Sequence, residues 1–168
     1  MLYYSPTTDD AKTANPPPPP FPINAYSLLT IGSSGPIPYP ATASTVVKFC
    51  ERSPTPSGSW NGTLGYPTTG ILWAIEHQNS KNLSGTCSDS QSIAHAALHA
   101  FNAVPDGNGV LNELYHSNAN RNGGVQTPIG DVTTFSTPTI FQGHVYMGTQ
   151  TEVDVFGLCS SQQGGCLP

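Results

Sequence analysis

Charge is scarce in this sequence. Asp, Glu, Lys and Arg make up 9% of the 168 residues, whereas about 25% is usual in soluble proteins. Basic residues are rarer still, with five Lys and Arg against ten Asp and Glu and a formal net charge of −5. Nucleic-acid binding and adsorption to anionic membranes both depend on clustered basic side chains. The composition therefore argues against nucleic acid and membrane as partners.

Long apolar runs are missing too. No run approaches the roughly 20 residues of a membrane-spanning helix. The opening MLYYSPTTDD has neither the basic nor the apolar segment of a secretory signal. Since residues 2–4 have the pattern of a strand already under way, we interpret Met1 as an internal start or a fragment boundary. Low charge and an even number of cysteines are nonetheless compatible with export, and we expect an extracellular or periplasmic location.

Motifs of catalysis and zinc binding are absent as well. The sequence has no GxSxG elbow, no P-loop and no GxGxxG, and its four cysteines form no Cys-x-x-Cys pair. Cys159 and Cys166 flank a glycine-rich segment, where a disulfide that closes a small loop and two free thiols are equally compatible. No catalytic residue is predicted, and a non-enzyme is favoured.

Glycine and proline, 17 of each, are abundant and separate short apolar runs. Such spacing is typical of antiparallel β structure. Between 54 and 116 the runs lie at 56–60, 70–76, 96–102 and 113–116. A four-stranded unit of this size is one blade of a β-propeller.

The groups on either side look like parts of further units. Near the C-terminus, strand candidates at 135–141 and 144–149 flank a tight turn at Gln142-Gly143, and a third follows at 151–158. Near the N-terminus, five consecutive prolines force a polyproline II segment, for which a stiff surface insertion is preferred to a proline-recognition ligand. The expected organisation is a partial blade at 1–30 with a Pro-rich insertion at 15–22, a connecting segment at 31–53, a complete blade at 54–120, a final partial blade at 121–158 and a Cys/Gly-rich tail at 159–168.

Secondary structure is ambiguous over 92–104, SIAHAALHAFNAV. Its alanines favour a helix, for which Asp89 or Ser90 would be the N-cap. A strand is the preferred interpretation for its second half.

Three segments resemble a known repeat. Residues 69–76, TGILWAIE, are similar to its NGIVWAxD strand, and LHAFNA at 98–103 with ELY at 113–115 is similar to its LHAYDA…ELY pattern. PTIFQGHVYMGT at 138–149 with EVDVFG at 152–157 resembles its closing PTVANGKVYVGT…LDVFG. These are segments of bacterial β-propellers with pyrroloquinoline-quinone-type repeats, of the quinoprotein-dehydrogenase kind. The chain thus resembles a C-terminal fragment of such a propeller, which implies an all-β fold with one full antiparallel four-stranded blade flanked by two partial blades.

The sequence also departs from that family. Asn102 stands where the repeat usually has Asp, and Tyr115 where it usually ends in Trp. The dehydrogenases have an adjacent cysteine pair over the quinone and acidic residues that hold calcium, and this chain has no Cys-Cys dipeptide. We therefore expect no cofactor in this chain, with pyrroloquinoline quinone and calcium involved only if the full-length protein is an active quinoprotein.

The segment 106–113, DGNGVLNE, resembles the middle of an EF-type calcium loop. Asp106, Asn108 and Glu113 are its candidate ligands. The alignment places Val104 and Tyr115 at the first and last ligand positions, where carboxylates are needed, so a turn-rich loop without metal is favoured.

Histidines and aromatics offer weaker candidates. On a helix, His95 and His99 would share a face and could hold a metal. On a strand they would also share a face but lie about 13 Å apart, too far for one ion, and no partner is evident for His116. Trp60, Trp73 and Tyr66 are candidates for a ligand-facing surface, although core packing is favoured because most lie within strand patterns.

The sequence therefore predicts a non-catalytic β-propeller fragment with a structural or interaction role, its ligand unspecified. Its partners would be the missing blades or another protein chain. Two alternatives stay open: part of an exported quinoprotein-like oxidoreductase, and an exported carbohydrate- or protein-binding module.

Overall fold

The computed structural model describes residues 2–4, 21–26, 41–49, 54–60, 70–79, 94–117, 129–131, 133 and 136–157. Within these ranges the regular structure is β-strand, which confirms the predicted all-β class. Over the same residues there is no helix with the length and apolar character needed to cross a bilayer. The strands are β1 (Leu2–Tyr4), β2 (Phe21–Tyr26), β3 (Ala43–Phe49), β4 (Ser57–Ser59), β5 (Ile71–Asn79), β6 (Ala94–Asn102), β7 (Val110–Leu111), β8 (Glu113–His116), β9 (Thr139–Phe141), β10 (His144–Gly148) and β11 (Val153–Gly157).

These strands form three sheets in the described part of the chain. The first sheet has the order β1-β2-β3-β7, the middle sheet β4-β5-β6-β8 and the third sheet β11-β10-β9. Adjacent strands are antiparallel except for β3 and β7, which are parallel. The four strands predicted between 54 and 116 therefore pair with one another in chain order. β3, which lies in the range interpreted as a connecting segment, joins the first sheet beside β2.

The ambiguous segment at 94–102 is a strand throughout, so its helical alternative is wrong for these residues. β6 pairs with β5 without interruption, from Ile71 opposite Asn102 to Asn79 opposite Ala94. Alanine favours helices in isolation, but the ladder and burial on both faces override that preference. Every described β6 side chain from 96 to 101 is buried.

Successive strand residues point to opposite sides of a sheet, and the side chains on both faces of the middle sheet are buried. One face joins the core of the first sheet, and the other joins that of the third. The first core contains Leu72, Ala74 and Phe101 together with Ile23, Ala25, Ala43, Phe49 and Leu111. The second contains Ile75, Ala96 and Leu98 together with Ile129, Val145 and Met147. The middle sheet is thus the central layer of a stack.

The connection from β6 to β8 leaves the middle sheet and adds β7 to the edge of the first. Val110 and Leu111 lie opposite Ser44 and Thr45. Gly109, with φ of 75°, makes this approach possible, since an added Cβ would lie 3.2 Å from the carbonyl oxygen of Thr42. The connection thus links the first sheet to the middle sheet immediately before β8, the strand that contains Glu113.

The third sheet contains the predicted tight turn. Gln142 and Gly143 both have positive φ, 47° and 77°, as a two-residue type I′ hairpin requires. Val145 and Met147 point into the core, as their alternation predicts. The proline run, Tyr66 and all four cysteines, including Cys159 and Cys166, lie outside the described residues.

Candidate functional site

Four polar side chains meet on the face of the middle sheet that is turned toward the first sheet. We call Glu76, His99, Glu113 and His116 the histidine cluster. His99 on β6 lies directly opposite His116 on β8. Glu76, on β5, lies opposite Ala97, which is two positions from His99 on β6, so the Glu76 side chain emerges on the same face as His99. Antiparallel pairing therefore brings together three strands that are far apart in the chain.

A β-bulge places Glu113 in this group. In a regular strand Glu113 and His116, three positions apart, would point to opposite faces. The register shifts between Ala100 and Phe101, so that Glu113 lies opposite Phe101 while Tyr115 lies opposite Ala100. The extra residue, Leu114, is taken up by the bulge, and Glu113 returns to the face of His116.

His99 is held from both sides. Its Nδ1 lies 2.6 Å from Oε1 of Glu113, and its Nε2 lies 2.9 Å from Oε2 of Glu76. The residue is 2% exposed, whereas the side chain of Glu113 is 33% exposed. The cluster is therefore buried at His99 and reaches solvent at Glu113.

The electrostatics favour a charged imidazolium at His99. Burial lowers the pKa of His99, but the hydrogen bonds to Glu113 and Glu76 raise it by more, and it lies above its ordinary value. The hydrogen bond from His99 in turn lowers the pKa of Glu113. Without another ligand, His99 donates both ring N–H groups to ionised carboxylates.

His116 differs from His99 in having no such partner. Its ring centroid lies 5.1 Å from that of His99, and its Nε2 is shielded from solvent without a hydrogen-bond partner among the described residues. Burial, followed by the charge of His99, lowers the pKa of His116. A neutral imidazole with an unused nitrogen thus lies beside the charged group, an arrangement that requires an explanation.

Two phenylalanines form the apolar wall of the cluster. The ring of Phe49, from the first sheet, meets His99 edge-on at 5.5 Å, and that of Phe101 lies parallel to it at 5.9 Å. Both are fully buried. They fix the imidazole plane and exclude water on the side of the first sheet.

The predicted calcium candidates belong to two different groups. Oδ1 of Asp106 accepts the backbone N–H of Asn108 and of Val110, each at 2.9 Å, and Oδ2 accepts from Asn112 at 3.1 Å. These bonds, that from Val110 first, lower the pKa of Asp106. Asp106 shapes the loop before β7, whereas Glu113 binds His99. In these hydrogen bonds Asn108 takes part through its backbone N–H and not through its side chain.

The aromatic candidates also separate. Trp60 is exposed. Trp73 donates its indole N–H to Oγ of Ser59 at 2.9 Å and packs against the core shared with the third sheet, so its contacts are those of a packing residue. His95, on β6, lies opposite Gln78 on β5.

A second feature is an apolar surface on the third sheet. We call Phe141, Tyr146, Val153 and Val155 the outer face. The register places them together: Tyr146 lies opposite Val155, Gly148 opposite Val153 and His144 opposite Phe141. Phe141, Val153 and Val155 are 60%, 64% and 54% exposed, while the opposite side of β10 is buried against the middle sheet.

Comparison with protein-family models, with curated proteins and with solved structures gives no match for this chain.

Proposed function

We propose that this chain is a non-catalytic, β-propeller-type interaction module that binds another β-sheet through the outer face, and that its partner is a second copy of the chain. The observation that carries the proposal is the contrast between two apolar sheet faces. Both faces of the middle sheet are covered by neighbouring sheets, whereas the outer face leaves Phe141, Val153 and Val155 exposed. Contiguous exposed apolar side chains of this kind mark interaction surfaces.

The resemblance to quinoprotein-type repeats supports the propeller-type architecture. A propeller is a ring of such sheets packed face to face, in which each sheet is covered on both sides. A stack with an uncovered apolar face needs a further sheet to complete the same packing. We assign that position to a second copy of the chain.

The chemistry of the two ends of the stack indicates which faces meet. The side of β3 away from the core presents Val46 beside the polar Ser44 and Lys48. The outer face is more apolar and complements itself best, which favours a two-fold pairing of identical faces.

The expected association is weak. Full burial of a Val or Phe side chain contributes roughly 1.5–3 kcal/mol. Since the three exposed side chains are already partly covered, each copy gains roughly 3–5 kcal/mol from them. Association costs about 4–15 kcal/mol in lost freedom of motion. Two copies together gain roughly 6–10 kcal/mol, so the most favourable balance is about −6 kcal/mol, and we expect a Kd of roughly tens of micromolar or weaker.

Sedimentation velocity of the full chain over a concentration series tests the proposal. The sedimentation coefficient should rise with concentration, and Val155→Asp should abolish that rise by placing a charge in the interface. Val46→Asp is the matched control, since Val46 is a 75% exposed strand valine on the first sheet and its replacement should leave association unchanged. A monomer at every concentration, or equal association of V155D and wild type, would contradict the proposal.

A further inference from the structure

Three ligand atoms of the histidine cluster converge. His99, Glu113 and His116 each offer one nitrogen or carboxylate oxygen, and these atoms all lie within 4.8 Å of one another. We propose that these three residues bind a divalent transition-metal ion, zinc in the first place. The inference is independent of the proposed interaction through the outer face.

His116 is the residue that distinguishes a metal site from an ion pair. The two carboxylates on His99 fully account for a buried imidazolium, but they leave Nε2 of His116 shielded and without a partner in the described part of the chain. A metal ion supplies the missing partner for that nitrogen. Nothing in the ion pair alone requires a second imidazole at a centroid distance of 5.1 Å.

The donor set selects the class of metal. Two imidazole nitrogens and one carboxylate oxygen are ligands of zinc in sites that keep a fourth position for water. Calcium and magnesium prefer oxygen ligands throughout. Since Glu113 lies at the solvent side of the cluster, the fourth position faces water.

Small movements bring the atoms to ligand distances. Tetrahedral zinc with bonds of about 2.0–2.1 Å separates neighbouring ligand atoms by about 3.3 Å. Nδ1 of His99 and Oε1 of Glu113, now 2.6 Å apart, must separate slightly, and the ligand atom of His116, which lies within 4.8 Å of the other two, must adjust to the same spacing. The proton between Nδ1 and Oε1 is released to solvent as the metal takes its place. Glu113, on an edge strand at the bulge, has the freedom to adjust.

Glu76 and the phenylalanine wall complete the site. In metal-binding histidines the second ring nitrogen commonly donates to a carboxylate, which orients the ring. The 2.9 Å contact between Nε2 of His99 and Glu76 has this geometry. Phe49 and Phe101 hold the same ring from the protein side. Glu76 is thus a positioning residue for a ligand, and not a ligand itself.

The test is zinc binding to the untagged full chain after chelator treatment and dialysis. Calorimetry should give one tight zinc ion that His116→Gln weakens by more than about 100-fold, while Glu76→Gln weakens it by about 10–100-fold, the range for an outer partner. His144→Gln is the matched control, because His144 is exposed and lies outside the cluster. Its zinc affinity should equal that of the wild type.

Two further measurements keep the result decisive. Glu113→Gln alters an exposed side chain, so it tests the site even if His116→Gln folds poorly, and it too should weaken binding strongly. Cobalt substituted for zinc should give the visible absorption of tetrahedral coordination by nitrogen and oxygen. Unchanged zinc affinity in both variants, an intense thiolate-to-cobalt band that places the ion on cysteine, or no tight site at all would overturn the proposal.

Discussion

His99 and His116 are cross-strand partners whose ring centroids lie 5.1 Å apart on the face of the middle sheet toward the first sheet. Their pairing depends on the bulge at Leu114, which also returns Glu113 to that face. One irregularity in the ladder therefore determines whether two histidines and a carboxylate meet or point apart.

Exchanging Glu113 and Leu114 should separate the carboxylate from His99 without changing composition. In E113L/L114E the carboxylate occupies the bulged position, whose side chain is exposed, and His99 loses a charge-assisted hydrogen bond. We expect zinc affinity to fall as far as in Glu113→Gln. Deleting Leu114 is the complementary variant: a regular strand then keeps Glu113 opposite Phe101, and binding should persist. Loss of binding in the deletion together with retention in the exchange would show that the bulge does not control the site.

Removing His99, which lies between Glu76 and Glu113, should lower the free energy of unfolding. His99→Leu leaves Glu76 and Glu113 facing each other without a cation. Removal of one partner from a fully buried pair costs about 3–5 kcal/mol, and because the side chains of Glu76 and Glu113 are 18% and 33% exposed, we expect a loss near the lower end of that range. The measurement is urea unfolding of chelator-treated protein. His144→Leu, at an exposed position, should change the free energy of unfolding by less than about 0.5 kcal/mol. Equal stabilities of the two variants would mean that the contacts of His99 do not support the fold.

The central position of the middle sheet can be tested by truncating one leucine on each of its faces. Leu72 packs toward the first sheet and Leu98 toward the third, and both are fully buried. Leu72→Ala and Leu98→Ala should each destabilise by about 2–5 kcal/mol. Leu114→Ala, at an exposed leucine, should have little effect. A small loss at either buried position would mean that the corresponding sheet does not cover that face.

The turn of the third sheet makes a conformational prediction. Gly143 has φ of 77°, and an added Cβ would meet nothing within 4 Å, so Gly143→Ala should destabilise through backbone strain alone, by about 1 kcal/mol. Gln142→Asn should stabilise, because Asn-Gly is the preferred type I′ pair. Thermal unfolding measures both variants. An alanine that is tolerated without loss would contradict the observed turn.

Asp154 should make stability depend on pH. It lies opposite Met147 on the buried side of β11, with one shielded oxygen that has no hydrogen-bond partner among the described residues. Burial, and then the charge of Glu152, raises the pKa of Asp154 above its ordinary 3.8. The folded state therefore holds this proton more tightly, and the resulting stabilisation is present below pH 3.8 and lost as the pH rises through the folded pKa.

It follows that Asp154→Asn should raise the Tm at neutral pH. We expect an increase of the order of 1–3 °C, since solvent screens this partly exposed group, and the advantage should disappear in acid below the pKa of the free side chain. Asp131→Asn is the control for removal of a negative charge elsewhere in the chain. A gain in D154N that is the same at all pH values would exclude the carboxyl ionisation as its cause.

Much of the strand pattern follows from local sequence, but the cluster does not. Val145 and Met147 alternate with Tyr146 and Gly148 around a Gln-Gly turn, and local periodicity suffices to find such a hairpin. β7 contains only Val110 and Leu111 and pairs with distant residues, so no window of sequence reveals it. The sequence indicates no partner for His116 because its relation to His99 depends on the register of β6 and β8. Counting back across the β6–β8 connection points to that pair only when the bulge is included.

Alanine explains the remaining ambiguity. Ala96, Ala97 and Ala100 favour a helix by intrinsic propensity, but they are buried between sheets, where small side chains allow close packing. Burial of both faces of β6 in the folded protein favours the strand, and no local sequence pattern indicates this burial.

The most direct test of the proposed interaction is a methyl NMR titration of the full chain with increasing protein concentration. If the outer face pairs two copies, the methyl resonances of Val153 and Val155 should shift or broaden as the concentration rises, while those of Leu114 and Val46 stay constant. Constant Val153 and Val155 signals, or changes confined to Val46, would contradict it.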